Sequence, residues 1–289
     1  NNLCSLVPHA DRLTFSAVFV FDEKFKIVSR WFGKTVIHSA HRFSYEAAQV
    51  VLEEKTGTFS EELLKMNEIA HHLRKANEKG GAIGFDSEEV RFRLDENGVP
   101  IEAYVKERKD AHLLIEDFML LANKEVAHFI ENKARAQQEI PFVYRIHDLP
   151  DMEKVAEFAR FAKDLGFPMR IDTPKHIAES YNKLTKAAKD NELLKVLEPL
   201  AIRTMAKAVY STDNIGHFGL GFSHYSHFTS PIRRYSDVMA HRILERNLHA
   251  TWRMDKSRLE EKCKHVSKQE RRAADAERES IKYKQAEYM

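Results

Sequence analysis

The chain has 289 residues, 43% hydrophobic and 31% charged, with 46 Lys and Arg against 44 Asp and Glu, for a formal net charge of +2. That balance describes an ordinary globular protein and excludes both a disordered chain and a uniformly basic nucleic-acid binder, so any anion-binding surface has to be local. Two distant cysteines, Cys4 and Cys263, make neither a disulfide framework nor a zinc knuckle and fit a reducing cytoplasm; no apolar run approaches the roughly 18 residues of a membrane helix, so no membrane partner is expected.

In chain order, Leu13, Phe15, Ala17, Phe19 and Phe21 alternate with smaller residues, a strand signal. Residues 22–25 can turn and 26–39 read as extended again, giving an antiparallel pair. Ser44 caps a helix through Glu54, with Tyr45 in its first turn, and a second helix from Ser60 stops at Gly80 and Gly81. A short apolar strand is expected over 82–85. A hairpin follows, with strands 90–94 and 99–105 around Asn97 and Gly98, the pair favoured in tight turns.

A long amphipathic helix is expected over 111–134, with Leu114, Phe118, Leu121, Ala122 and Val126 on its inner side. Then come a strand at 142–147, a helix stopping at Gly166, a helix opened by Pro174 and another over 193–210. The last forty residues read as charged helix with a thin apolar line through Leu259, Cys263, Val266 and Ile281. With no internal repeat and no low-complexity linker, these elements make one α+β domain.

The segment HFGLGFSHYSHFTSPIRRYSDVMAHRIL, residues 217–244, concentrates the chemistry. Ser230 and Pro231 read as a helix start, which puts Arg233 and Arg234 in the first turn, beside free backbone donors suited to a phosphate. On that helix Arg233, Asp237 and His241 share a face at i, i+4 and i+8. Spacing alone fits equally a buried turn whose arginines only pair with acids. Asp237 is expected to orient Arg233, Arg234 or His241. His217, His224, His227 and His241 are close in sequence but lack the partners of a zinc motif. Asp86, Glu88 and Glu89 are neighbouring acids that read better as a solvated strand end than as ligands for a hard cation.

YSHFTSPIRRYSDVMAHR resembles the signature of the ribonuclease II/ribonuclease R family, whose catalytic unit is the RNB domain, with the ribonuclease R branch the nearer. RTMAKAVYSTDNIGHFGLG, PFVYRIHDLPDMEKV, IEDFMLLANKEVA, GAIGFDSEEVRF and NNLCSLVPHADRLTFS look like further blocks of the family in family order, so the resemblance covers essentially the whole chain.

The resemblance implies an α+β fold in which an antiparallel sheet flanked by helices surrounds an RNA channel. It implies processive hydrolysis of single-stranded RNA from the 3′ end to nucleoside 5′-monophosphates, with Mg2+, by a cytoplasmic monomer. Carried over residue by residue, Arg233 contacts the phosphate at the scissile bond and Glu277 acts near the 3′ end; sequence alone reads Glu277 as a surface partner of Arg278 or Arg272. Tyr45 contacts nucleotides beside the cleaved bond, Glu116 accepts a ribose hydroxyl, Phe85 stacks on a base and Arg234 assists on the phosphate. For Phe85, core packing is the reading from sequence alone. The family's metal-holding aspartates precede the segment matched at Asn1. Residues 1–289 are therefore expected to be an RNB-type catalytic domain truncated on its N-terminal side, incomplete for catalysis alone and without flanking RNA-binding barrels. A non-catalytic RNA-binding relative and a structural fragment with internally paired arginines are the competing readings.

Overall fold

A computed structural model of the chain describes residues 4–85, 89–136 and 139–289. Two strands open it: β1 (Asp11–Phe21) and β2 (Ile27–His38) form a long antiparallel ribbon. The alternation does its expected job, because Phe15, Ala17 and Phe19 turn inward with Phe32 of β2 against the larger of two hydrophobic cores. Ser44 caps α1 (Tyr45–Glu54), its side chain accepting from the Ala47 amide, and α2 (Ser60–Lys79) ends at Gly80.

Residues 82–85 form no strand. The Ile83 amide donates to the Gly219 carbonyl, and the Asn182 side chain bonds both the Ala82 carbonyl and the Gly84 amide. Two backbone bonds, from the Ala82 amide to Asn77 and from the Ile83 amide to Gly219, and one side-chain amide satisfy this segment in place of a ladder. Asp86 and Glu88 lie outside the described residues.

The hairpin is present as β3 (Glu89–Leu94) and β4 (Pro100–Lys106). Its turn is wider than the tight Asn-Gly type: Asp95 and Val99 close it, Gly98 takes φ +79°, and Asn97 has no positive φ.

α3 (Asp110–Ala136) is the spine of the molecule, packing on α1, α2 and, through its C-terminal half, the main core. β5 (Tyr144–Ile146) is followed by α4 (Met152–Asp164), capped by Asp151, and α5 (Pro174–Ala188), capped by Thr173. The expected helix over 193–210 is three elements. α6 (Glu192–Lys195) and α7 (Leu197–Thr204) are broken near Pro199, which has no N–H to continue the ladder from Lys195, and β6 (Val209–Ser211) pairs antiparallel with β5. α4 to α7 close the second core around Tyr181, Leu184 and Leu197.

α8 (Tyr235–Leu248) and α9 (Lys256–Tyr288) complete the chain. α8 buries Met239, Ala240, Ile243 and Leu244, and α9 buries Leu259 and Cys263, in the main core, whereas Ile281 of the expected apolar line is exposed. The described strands form three separate two-stranded antiparallel sheets among the helices, an α+β arrangement. No helix among the described residues is long and apolar enough to cross a membrane.

The Gly80 turn abuts residues 216–222. Gly221 takes φ +64°, and a Cβ there would lie 2.7 Å from the Gly80 carbonyl oxygen and 3.0 Å from the Ala82 nitrogen. Gly221→Ala therefore combines a left-handed backbone with a clash against backbone, and should cost about 2 kcal/mol in a urea melt. An unchanged midpoint would mean the two segments are not held together.

Candidate nucleic-acid interface

The structure changes where the two arginines stand. Ser230 and Pro231 start a single turn rather than a helix: the Ser230 carbonyl accepts from the Arg233 and Arg234 amides, Arg234 is extended at φ −125° and ψ 119°, and α8 begins only at Tyr235. The cap signal was real but local. Arg233 therefore precedes α8, and the shared helical face of Arg233, Asp237 and His241 does not exist.

Asp237 is the reason for the break. It is fully buried in the first turn of α8, where the helix dipole favours an anion, and its Oδ1 accepts from the Ser230 amide at 2.7 Å and from Arg234 Nη2 at 2.8 Å. The Ser236 hydroxyl donates to Oδ2 at 3.1 Å. One carboxylate thus folds the turn back over the helix start and neutralises Arg234, whose Nε is buried without a partner. Arg233 is exposed, and its guanidinium makes no ion pair or hydrogen bond among the described residues. His241 is tied elsewhere, bonding the Phe228 carbonyl at 2.7 Å and stacking on Phe228 at 4.1 Å, so Asp237 orients Arg234 rather than His241.

A residue that sequence reasoning did not single out anchors this turn from below. Asn123 of α3 is buried; its Oδ1 accepts from the Phe228 and Thr229 amides at 2.8 and 3.2 Å, and its Nδ2 donates to the Tyr225 hydroxyl at 3.1 Å. At 100° per residue, His112, Glu116 and Asn123 lie within about 40° of one another around α3. The signal in the sequence was that spacing from Glu116, i−4 and i+7. His112 stacks on Tyr45 at 4.2 Å with planes 12° apart, and Glu116 pairs with Arg108. One face of α3 therefore carries, in order, the Tyr45 platform, Glu116 and the anchor of the Arg233 turn, over about 16 Å of helix.

Phe85 and Glu277 do not join this line. Phe85 packs at the edge of the second core, 5.6 Å from the Tyr181 ring, as its apolar strand-like context suggested. Glu277 stands exposed on α9 without a partner among the described residues; Arg278 pairs with Asp275, and Arg272 bonds Gln269.

The four neighbouring histidines each have a separate task. His227 Nδ1 meets the Tyr210 hydroxyl at 2.7 Å, His217 accepts from the Leu220 amide, and His224 sits edge-on to His128. A fifth, His147, donates from Nε2 to the Ala206 carbonyl and accepts the Gly219 amide at Nδ1, which fixes its neutral tautomer. A cleft of about 580 Å3 opens beside them, lined by His147, His217, Asn214 and Lys175. Burial pushes the pKa of His217 down to about 3, and burial with the Arg234 and Arg145 charges pushes that of His227 down to about 2.

Two outcomes follow. A histidine whose folded pKa lies below its unfolded value near 6.5 leaves stability untouched above that pH. As pH falls, only the unfolded chain takes up the proton, so stability drops by about 1.4 kcal/mol per pH unit for each such ring, down to the folded pKa. The urea midpoint should therefore fall steadily from pH 7 to pH 5; a flat midpoint would show that these rings are not held neutral. Asp237→Ala, which strands Arg234 and the Ser230 amide, should cost about 3–5 kcal/mol, and Asp237→Asn, which keeps an acceptor, distinctly less. Equal loss in both variants would mean the Oδ1 acceptor contributes nothing.

The chain is 37% identical over 299 residues to Ribonuclease R of Aquifex aeolicus, covering 99% of this chain and 41% of that protein. Against Ribonuclease R of Thermotoga maritima it is 35% identical, covering 100% of this chain and 42% of the relative. It thus spans about two fifths of the length of these relatives. The structure of Mycoplasma genitalium RNase R in complex with ribose methylated single-stranded RNA superposes with a TM-score of 0.88 at 28% identity, over 99% of this chain and 46% of that one. Residues 1–250 match the RNB domain, and the chain belongs to the RNB domain family.

Proposed function

We propose that residues 1–289 act as the RNB-type catalytic domain of a processive 3′→5′ exoribonuclease that hydrolyses single-stranded RNA to nucleoside 5′-monophosphates. The observation that carries this is the division of the two arginines. Asp237 neutralises Arg234, and the turn so fixed presents Arg233 to solvent with its guanidinium unpaired among the described residues. A rigidly mounted, bidentate cation suits a phosphodiester and the charge that builds on it during hydrolysis.

Along the same face of α3, the Tyr45–His112 stack offers a flat support for the terminal nucleotides, and Glu116 accepts a ribose hydroxyl. Phe85 offers the open part of its ring to a base, and Glu277 acts near the 3′ end. His241, stacked on Phe228, supports the loop ahead of the turn. The reading includes single-stranded RNA as partner, a cytoplasmic location and action as a monomer.

Mg2+ belongs to the reading through the family, but the described residues do not fit it. Among them no three His, Cys, Asp or Glu side chains converge on a metal position, and no step of the reading runs through the ion. The same observation favours a second reading, an RNA-binding relative with no catalysis of its own. The two separate in a hydrolysis assay with 3′-labelled RNA and Mg2+ on the longest native form of the protein. Release of mononucleotides supports the enzyme, and binding without release supports the second reading. Arg233→Ala in that form should lower turnover by about 10²–10³-fold while retaining much of the RNA affinity; full retained turnover would remove Arg233 from the chemistry.

A further inference from the structure

A groove of about 440 Å3 lies between α8 and α9, apart from the α3 face. Its floor is apolar, formed by Met239, Ile243 and Leu259, all buried. Its walls carry Arg242 and Arg246 on α8 and Arg258 and Lys262 on α9, each pair at i, i+4, so two basic rows face each other. None of the four has a carboxylate partner among the described residues. The one acid lining the groove, Asp255, is engaged in capping α9, its Oδ1 accepting the Arg258 amide at 2.6 Å.

Lysines nearby behave differently. Lys256, at the start of α9, is held by both Glu139 and Asp213 at 2.8 and 2.9 Å. Four like charges around one groove repel each other, and an anionic occupant relieves that repulsion. Two rings narrow the identity of that occupant. Tyr235 is 50% exposed on the wall, and Trp252 lies under the Arg246 guanidinium, 4.4 Å from cation to ring centroid. Cations for phosphates, flat rings for bases and an apolar floor are the features of a track for single-stranded nucleic acid. An acidic peptide would use the charges but leave the exposed Tyr235 ring without a stacking partner.

We propose that the α8–α9 groove is a second binding site for single-stranded RNA, holding backbone away from the phosphate gripped by Arg233. Tyr235 lies two residues past Arg233, so the groove and the Arg233 turn are adjacent in the chain. The proposal rests on the RNA reading above and assigns these cations to affinity rather than to bond cleavage.

The test is fluorescence anisotropy of labelled oligo(A) of about 20 nucleotides against salt, using the 289-residue chain. Each lost phosphate contact on a single strand lowers the slope of log affinity against log salt by about 0.7, so replacing all four cations by Gln should lower it by roughly 2 to 3. The milder pair Arg242→Gln and Lys262→Gln should lower it by about half as much, and decides the matter if circular dichroism shows that the fourfold variant has not folded. Wild-type binding with an unchanged slope in the variants would overturn the groove and leave the RNA reading standing. Poly-glutamate binding that the fourfold substitution abolishes, with oligo(A) binding untouched, would also overturn it, marking the groove as a site for an acidic protein. Failure of the wild-type chain to bind oligo(A) at all would take down both.

Discussion

The buried carboxylate of Asp237 is the constraint on which the candidate site depends. A lone ionised acid at zero exposure would be strongly unfavourable, so its surroundings must supply donors, and they do so from a backbone amide, a guanidinium and a hydroxyl. Satisfying that acid forces residues 230–234 to curl back over the start of α8, and this geometry separates two adjacent arginines. One becomes part of the protein's internal electrostatics. The other is left facing outward on a mount that cannot move without stranding a buried charge. A side chain with the long flexible stem of arginine becomes useful for orienting a phosphate only when its backbone is fixed in this way.

α3 supplies the second constraint, distance. A helix is a ruler with about 1.5 Å per residue, and the functional groups along this one face are placed by residue spacing alone. His112 receives the Tyr45 ring, Glu116 follows one turn later, and Asn123 two turns further holds the backbone at Phe228 and Thr229. Asn123 has to be an amide because it donates to Tyr225 while accepting two N–H groups, a combination no carboxylate offers. The lower half of α3 is packed in the main core, which transmits its rigidity to the half that carries these groups.

Legibility in the sequence followed the range of the interaction that decided each feature. Elements set by local pattern were readable: the β1–β2 alternation, the Ser44 cap, the Pro174 helix start, the Gly80 and Gly166 stops and the long amphipathic α3. Features decided by partners distant in the chain were not. Residues 82–85 look like a strand but find Asn182 and Gly219, some hundred or more residues away, in place of a neighbouring strand. Val209–Ser211 looked like the end of a helix until β5 paired with it. At the site, Ser230 and Pro231 carried an authentic turn signal, but Asp237 reached back seven residues to end that turn early. Asn123 lies within the block IEDFMLLANKEVA, but only its spacing from Glu116 sets it apart from its neighbours there.

A net charge of +2 and a nucleic-acid interface are compatible because the charges are sorted by partner rather than by number. Within the body of the fold some cations are matched: Arg30 with Glu125 and Arg74 with Asp117 on the helical spine, Arg145 of β5 with Glu270 of α9. These pairs are buried or half-buried, contribute structure, and cancel at long range. Among the described residues, cations without a carboxylate partner include Arg233 and the four along the neighbouring α8–α9 rows. With a Debye length of about 8 Å at physiological salt, a polyanion approaching this side responds to local unpaired charge and is nearly blind to the balanced remainder. A sum over the composition averages the two populations together, which is why the basic character of this surface becomes visible only once the pairing is known.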